Sequence, residues 1–201
     1  MAEAYRMVFQ QVGAEIAGLL PIDQREPFIQ RFVTAASQLF EDAVRRLDLD
    51  PRTFVGPNLL EKGEWTLVPL DSIHFNLDTW RYYYTAAGEY SAPWEGLTIS
   101  DKLYAFAVAL WNPEPTPKAY YMTLKLDIKD YPYKLFEDLA KKPEVLRCKL
   151  LTYPLVFPPQ SKIQESKIGV LAGGYDSLQF LGGVFTRVAY VLQRSKTIFY
   201  A

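Results

Sequence analysis

Residues 103–111 read LYAFAVALW and are apolar at nearly every position. A strand that is covered by protein on both faces has this pattern, so we expect a central strand here. Residues 119–129, AYYMTLKLDIK, alternate between two kinds of side chain, which predicts a strand with one buried face. The connection between them, NPEPTPK at 112–118, holds three prolines. We predict that the two strands pair as an antiparallel hairpin with a stiff tip.

The first 50 residues carry a different spacing. Apolar residues recur at intervals of three and four from Tyr5 to Leu19 and again from Phe28 to Leu47, which predicts two amphipathic helices. Pro21 separates them, and Asp23 with Glu26 has the spacing of a capping box. Two antiparallel helices joined by a short turn are therefore expected.

Weaker patterns complete the predicted fold. Strands are expected at 65–70, 80–86, 147–156 and 167–171, a short helix at 132–142 and a strand at 197–200. Residues 176–194 fit either a helix capped by Asp176 or a hairpin turning at Gly182-Gly183, and the helix is preferred. The predicted class is α+β: an N-terminal helical hairpin, residues 1–50, packed on a mainly antiparallel sheet. Residues 51–201 hold this sheet with one or two further helices, and the whole forms one domain.

Composition excludes several kinds of protein. The single cysteine and single histidine exclude an intrachain disulfide or zinc finger, and no nucleotide, metal or hydrolase motif is present. We therefore predict no cofactor and no metal site, and the motifs assign the chain to no known family. No apolar run is long enough to cross a bilayer. The N-terminus has no basic region followed by an apolar one, so a soluble, cytoplasmic protein is expected.

The charge distribution is uneven although the net charge is −1. Residues 1–100 hold 8 Lys and Arg against 14 Asp and Glu, whereas residues 101–201 hold 14 against 9. Packing of the two halves against each other, or pairing in a homo-oligomer, explains this more simply than nucleic acid binding, for which the chain is too acidic.

A few residues could carry acid–base chemistry. His74 lies between Asp71 and Asp78 in sequence, and Glu89 follows shortly after, which suggests an acid–base site. A structural or surface histidine is the preferred interpretation. Cys148 has basic neighbours, but alternation in a strand would place them on the opposite face, so a buried and inert thiol is expected.

Aromatic residues make up 15% of the chain, and many cluster between 80 and 133. Tyr and Trp side chains favour partly solvated positions such as pockets and interfaces. In a strand at 80–84, Trp80, Tyr82 and Tyr84 share one face while Arg81 and Tyr83 share the other. The second face either meets a helix or forms a ligand pocket or partner surface. The predicted ligand- or partner-binding residues are Trp80, Arg81, Tyr82, Tyr84, Tyr90, Trp94 and Tyr121.

Three classes of function remain at this point. The preferred one is a nonenzymatic binding or assembly protein whose aromatic sheet face holds another protein chain or a small apolar or aromatic ligand. The alternative is a small enzyme with carboxylate, tyrosine or histidine acid–base residues in an aromatic pocket. The least favoured is single-stranded nucleic acid binding, in which Tyr121 would stack bases beside Lys125 and Lys129.

Overall fold

The computed structural model describes residues 5–75, 77–127, 129–131 and 148–191. Two helices open the chain, α1 (Arg6–Ala17) and α2 (Ile22–Leu47), and they pack against each other. Their apolar stripes are buried as predicted, but Leu19 is exposed because α1 ends before it. The predicted cap at Asp23 is wrong: α2 begins one residue earlier, and the Pro21 carbonyl accepts the Gln24 N–H at 3.0 Å.

Eleven strands are present in the described part of the chain. They are β1 (Phe54–Val55), β2 (Trp65–Pro69), β3 (Arg81–Tyr84), β4 (Gly88–Ser91), β5 (Leu103–Trp111), β6 (Ala119–Leu126), β7 (Lys129–Tyr131), β8 (Cys148–Phe157), β9 (Ile163–Val170), β10 (Gly174–Ser177) and β11 (Gln179–Arg187). Short 3-10 helices occur at Pro51–Thr53, Pro57–Lys62 and Ser72–Phe75. The strands predicted near β2, β3, β8 and β9 are confirmed, and so is the α+β class.

A five-stranded sheet forms the centre of the fold, in the order β1-β2-β11-β5-β8. Its pairs are antiparallel except for β1 with β2. β5 is buried along almost its whole length, as its apolar run predicts. Helices α1 and α2 cover one face, where Phe40, Trp65, Phe106 and Phe185 belong to one aromatic-rich core.

A second core covers the opposite face of this sheet. It joins Ala107 and Leu155 of the five-stranded sheet to Met122 and Ile168 of a four-stranded sheet in the order β4-β9-β6-β7. The described chain thus has three layers: helices, the five-stranded sheet and the four-stranded sheet.

The predicted hairpin of β5 with β6 is wrong. β5 pairs with β11 and β8, whereas β6 pairs with β9 and β7 in the other sheet. The proline-rich connection therefore crosses between sheets. Asp176 holds both of its ends: Oδ1 accepts from Asn112 Nδ2 at 2.8 Å, and Oδ2 accepts the main-chain N–H groups of Lys118 and Ala119 at 2.9 and 2.6 Å.

The helix preferred for 176–194 is also wrong, because β10 and β11 occupy residues 174–187. Gly182 lies inside β11, where an added Cβ would stand 1.8 Å from the Phe106 carbonyl oxygen. The glycine therefore permits close contact between β11 and β5 and forms no turn. Within the part of this region that the structure describes, residues 188–191 are helical.

The predicted helix at 132–142 and strand at 197–200 lie outside the described residues. Among the helices that are described, none is both long and apolar enough to span a bilayer.

Candidate docking face

Residues 81–91 pair with residues 167–177 along one antiparallel ribbon. Tyr84 lies opposite Gly174 in the β3–β10 pair, and Gly88 lies opposite Val170 in the β4–β9 pair. The register is therefore the same on both sides of a break in the pairing. β4 and β9 belong to the four-stranded sheet, whereas β3 and β10 pair with each other as a two-stranded extension.

The solvent-facing side of this extension carries two exposed tyrosines. Tyr83 and Tyr175 are direct cross-strand partners, with ring centroids 5.1 Å apart in an edge-on arrangement. They are 62% and 55% exposed. The guanidinium carbon of Arg81 lies 4.8 Å from the Tyr175 ring centroid, which is a cation–π distance. We call Arg81, Tyr83, Tyr175 and Glu114 the tyrosine face.

Hydrogen bonds and an ion pair hold the positively charged side chains at the tyrosine face in place. Glu114 Oε1 accepts from Arg81 Nε at 2.9 Å and from Ser177 Oγ at 3.1 Å. Lys118 Nζ donates to the Tyr175 carbonyl at 2.6 Å. Arg81 is thus held over the Tyr175 ring by contacts within the chain itself.

The inward side of β3 belongs to the core. Trp80 and Tyr84 are buried, and Tyr82 is half-buried with its hydroxyl donating to the Thr79 carbonyl at 2.6 Å. Burial, and then the negative charge of Asp78, raises the pKa of Tyr82 to about 12. The alternation predicted for this strand is present, with one face in the core and Arg81 and Tyr83 in solvent.

Of the other predicted binding residues, Trp94 is fully buried and donates from Nε1 to Ser166 Oγ at 2.8 Å. Tyr90 is half-buried, and its hydroxyl donates to the Ala86 carbonyl at 3.0 Å. The second core therefore contains Trp80, Tyr84 and Trp94. Among the predicted binding residues, Arg81 is exposed and Tyr121 is half-buried.

Tyr121 lies on β6, the strand next to β9 of the ribbon, and pairs with Gly169 of β9. Its ring covers the Gly169 backbone so closely that a Cβ there would stand 2.0 Å from Tyr121 Cε1. The Tyr121 hydroxyl donates to the Glu89 carboxylate. Partial burial, and then this hydrogen bond, raises the pKa of Tyr121 to about 12, so the phenol stays protonated at neutral pH.

The predicted acid–base residues do not assemble into a dry site. Asp71, Asp78 and Glu89 are exposed, and His74 is half-buried. His74 Nδ1 accepts the main-chain N–H of Asp71 at 3.0 Å, while the Asp71 carboxylate accepts the main-chain N–H of Ser72. A carboxylate that acts as a general acid or base usually lies in a cleft shielded from water, and these carboxylates are exposed.

Acidic residues lie beside the basic residues near Tyr121. Lys125, a predicted contact for nucleic acid, lies directly opposite Glu165 in the β6–β9 pair. On the neighbouring strand, Lys167 Nζ forms an ion pair with Glu95 Oε2 at 3.2 Å. The charge next to Tyr121 is therefore mixed. The side chain of Lys129 lies outside the described residues. In the described part of the chain, no group of three or more His, Cys, Asp or Glu side chains is placed to hold a metal ion.

Sequence reasoning missed the Tyr83–Tyr175 pair. The alternation at 80–84 places Tyr83 beside Arg81 on the outer face, so Tyr83 could have been included among the binding residues. Tyr175 carries no such signal, because its partnership depends on pairing between strands that are about 90 positions apart.

Comparison with known proteins returned no relatives. No protein-family model matches the sequence, no curated protein matches it, and no solved structure matches its fold.

Proposed function

We propose that this chain is a nonenzymatic binding protein that docks another protein chain on its tyrosine face. The observation that carries the proposal is the pair Tyr83 and Tyr175, which remain more than half exposed while Trp80 and Tyr84 on the inward side are buried. Tyr and Arg are enriched among the residues that dominate binding energy, because they combine apolar area with directed polar groups. Arg81, whose guanidinium lies over the Tyr175 ring, is the arginine of this face.

A protein partner suits this surface better than a small apolar ligand. Small ligands bind in concave sites that enclose most of their surface, whereas the Tyr83 and Tyr175 rings stand in solvent on a two-stranded extension. Arg81 and Lys118 bring two positive charges to this region, against the carboxylates of Glu114 and of the buried Asp176. The Arg81 guanidinium over the exposed Tyr175 ring favours a partner whose apolar patch is bordered by carboxylates.

The enzyme alternative receives less support. Its candidate carboxylates are solvated, and the Cys148 thiol is buried with its pKa raised by burial to about 12, which makes it a poor nucleophile. A cytoplasmic location is part of the proposal, since the one cysteine is a free thiol. If the partner chain is a second copy of this chain, the proposed complex is a homo-oligomer.

The test is native mass spectrometry of the protein purified from its source, with three chains compared. The unmodified protein should carry a stoichiometric partner chain, and Tyr83→Ser/Tyr175→Ser should lose it while its free energy of unfolding in urea falls by no more than about 1 kcal/mol. Met7→Ser is the control, because Met7 is 81% exposed on α1, outside both the ribbon and the pocket between α2 and β8. Retention of the partner by the double variant, or a bare monomer in the unmodified sample, would refute the proposal.

A further inference from the structure

The ladder between β5 and β8 is interrupted by extra residues in β8. Ala107 pairs with Leu155 and Ala109 pairs with Leu150, so Val108 alone faces residues 151–154. A bulge of this kind bends a strand, and bulges occur often beside binding and active sites. β8 is the edge strand of the five-stranded sheet in the described chain, so no described strand pairs with the other side of the bulge.

The bulge leaves a groove between β8 and α2 with a volume of about 410 Å³. Ala35, Val108 and Leu151 line it with apolar surface. This volume falls within the range of about 300–1,000 Å³ that is usual for small-molecule sites. The groove therefore has room for one small ligand with an apolar part.

Polar side chains form the rim of the groove. Gln30, Thr34 and Gln38 follow one another at intervals of four on α2, so they lie along one ridge of the helix. Tyr153 and Thr152 border the groove from the bulge, and the exposed Tyr153 ring offers a flat apolar wall.

The groove has one charged group among its described lining residues, the guanidinium of Arg31. Arg31 Nη1 donates to the Leu151 carbonyl, which ties the side chain to the bulge. A guanidinium has five N–H donors in a planar fork, so this bond leaves donors for a ligand oxygen. With no described carboxylate in the lining, the charge of Arg31 favours an anion.

We propose that this groove binds a small organic acid, with its carboxylate on Arg31 and its apolar body against Ala35, Val108 and Leu151. The Tyr153 ring covers the open side of the ligand. The groove and the tyrosine face share no residue, so this assignment stands independently of the proposed function.

A matched pair of probes tests the assignment on the unmodified protein. 4-Phenylbutyrate and 4-phenyl-1-butanol have the same apolar body, and only the first carries a carboxylate. Each is titrated while amide chemical shifts are followed by NMR. We expect saturable shifts at α2 and residues 151–154, with the acid binding about tenfold tighter because of its charge-assisted hydrogen bond. Equal affinities, no saturation at millimolar concentrations, or shifts confined to other parts of the chain would overturn the proposal.

Variants then assign the charge to Arg31. Arg31→Met should bring the affinity for 4-phenylbutyrate down to that for the alcohol, and Arg52→Met, at an exposed arginine outside the groove, should leave both affinities unchanged. Added salt should weaken only the acid in the unmodified protein. Because Arg31→Met also removes a bond to the bulge, the probe pair and its salt dependence decide the matter if that variant fails to fold.

Discussion

The side-chain amide of Asn112 donates a 2.8 Å hydrogen bond to the carboxylate of Asp176, and both residues are buried. Asn112 follows β5 of the five-stranded sheet, and Asp176 lies in β10 next to Tyr175. The other carboxylate oxygen of Asp176 accepts two main-chain N–H groups at the start of β6. One carboxylate therefore connects both sheets to the strand that carries the tyrosine face.

Asp176→Ala should destabilise the protein strongly. The substitution leaves three donors without their acceptor, in Asn112, Lys118 and Ala119. Each buried unsatisfied polar group costs about 1–3 kcal/mol, so we expect a loss of roughly 3–5 kcal/mol in the free energy of unfolding, measured in urea. Asp101→Ala, at an exposed carboxylate, should change it by less than about 0.5 kcal/mol. Similar values for both variants would show that Asp176 does not hold the crossover.

Gly182→Ala should also be severely destabilising, because the new methyl group meets main-chain atoms. Its Cβ would lie 1.8 Å from the Phe106 carbonyl oxygen and 2.6 Å from Ala107 Cα, so β11 and β5 would have to separate. We expect a loss of about 3 kcal/mol or more. The comparison is Gly96→Ala. At Gly96 φ is +82°, but an added Cβ would have no described atom within 4 Å, so only the backbone conformation is strained. We expect this substitution to cost about 1–2 kcal/mol. Thermal unfolding of both variants measures the difference, and an equal loss would contradict the close approach.

Trp94 and Tyr83 should respond differently to truncation. Trp94 is fully buried, so Trp94→Ala leaves a large cavity and removes the hydrogen bond from Trp94 Nε1 to Ser166 Oγ, with an expected loss of about 3–5 kcal/mol. Tyr83→Ala removes an exposed ring and its contact with Tyr175, at a cost below about 1 kcal/mol. Urea denaturation compares the two. A large loss for Tyr83→Ala would place that ring in the structural core and remove it from any docking face.

Cys148 should resist alkylation and disulfide reagents in the native protein. Burial raises the pKa of its thiol to about 12, so the reactive thiolate is scarce near pH 8.5, where an ordinary thiol is half ionised. The folded-state pKa lies above the unfolded value, so this group's contribution to stability is complete below about pH 8.5 and declines as the pH rises toward 12.

Reaction with a chromogenic disulfide at about pH 8.5 measures this, with the guanidinium-unfolded protein as reference. The unfolded chain should react at once and the native chain only at the rate of opening. Gln10→Cys in a Cys148→Ala background is an exposed control that should react quickly in the native state. Rapid stoichiometric labelling of native Cys148 would contradict its burial.

The helices and many strands could be predicted because burial of one face imposes a local spacing on the sequence. The stripe from Phe28 to Leu47 became α2, and the unbroken apolar run at 103–111 became a strand buried on both sides. In each case the information lies within a few residues of the element itself.

Strand partners could not be predicted in this way. The β5–β6 hairpin followed from proximity in sequence, but the partners of these strands and the Asp176 anchor lie far along the chain. The sequence of β11 predicts a helix because a strand buried on both faces is apolar throughout and also satisfies a helical spacing. The bulge at 151–154 depends on where β8 returns to β5 and leaves no local signal.

Only part of the candidate docking face could be predicted from the sequence. Alternation at 80–84 separates Arg81 and Tyr83 from the inward Trp80, Tyr82 and Tyr84, as the structure shows. The predicted list nevertheless included residues such as Trp94, since composition reveals an excess of aromatic side chains but does not show which of them fill a core.

The position of β11 has a consequence for how the chain is made. This late strand occupies the middle of the five-stranded sheet, where Val184 pairs with Val68 of β2 on one side and with Ala105 of β5 on the other. During translation, the ribosome must release residue 187 before these two strands can be joined. Until then the nascent polypeptide exposes two open strand edges, and it depends on late completion, or on chaperones, to avoid aggregation.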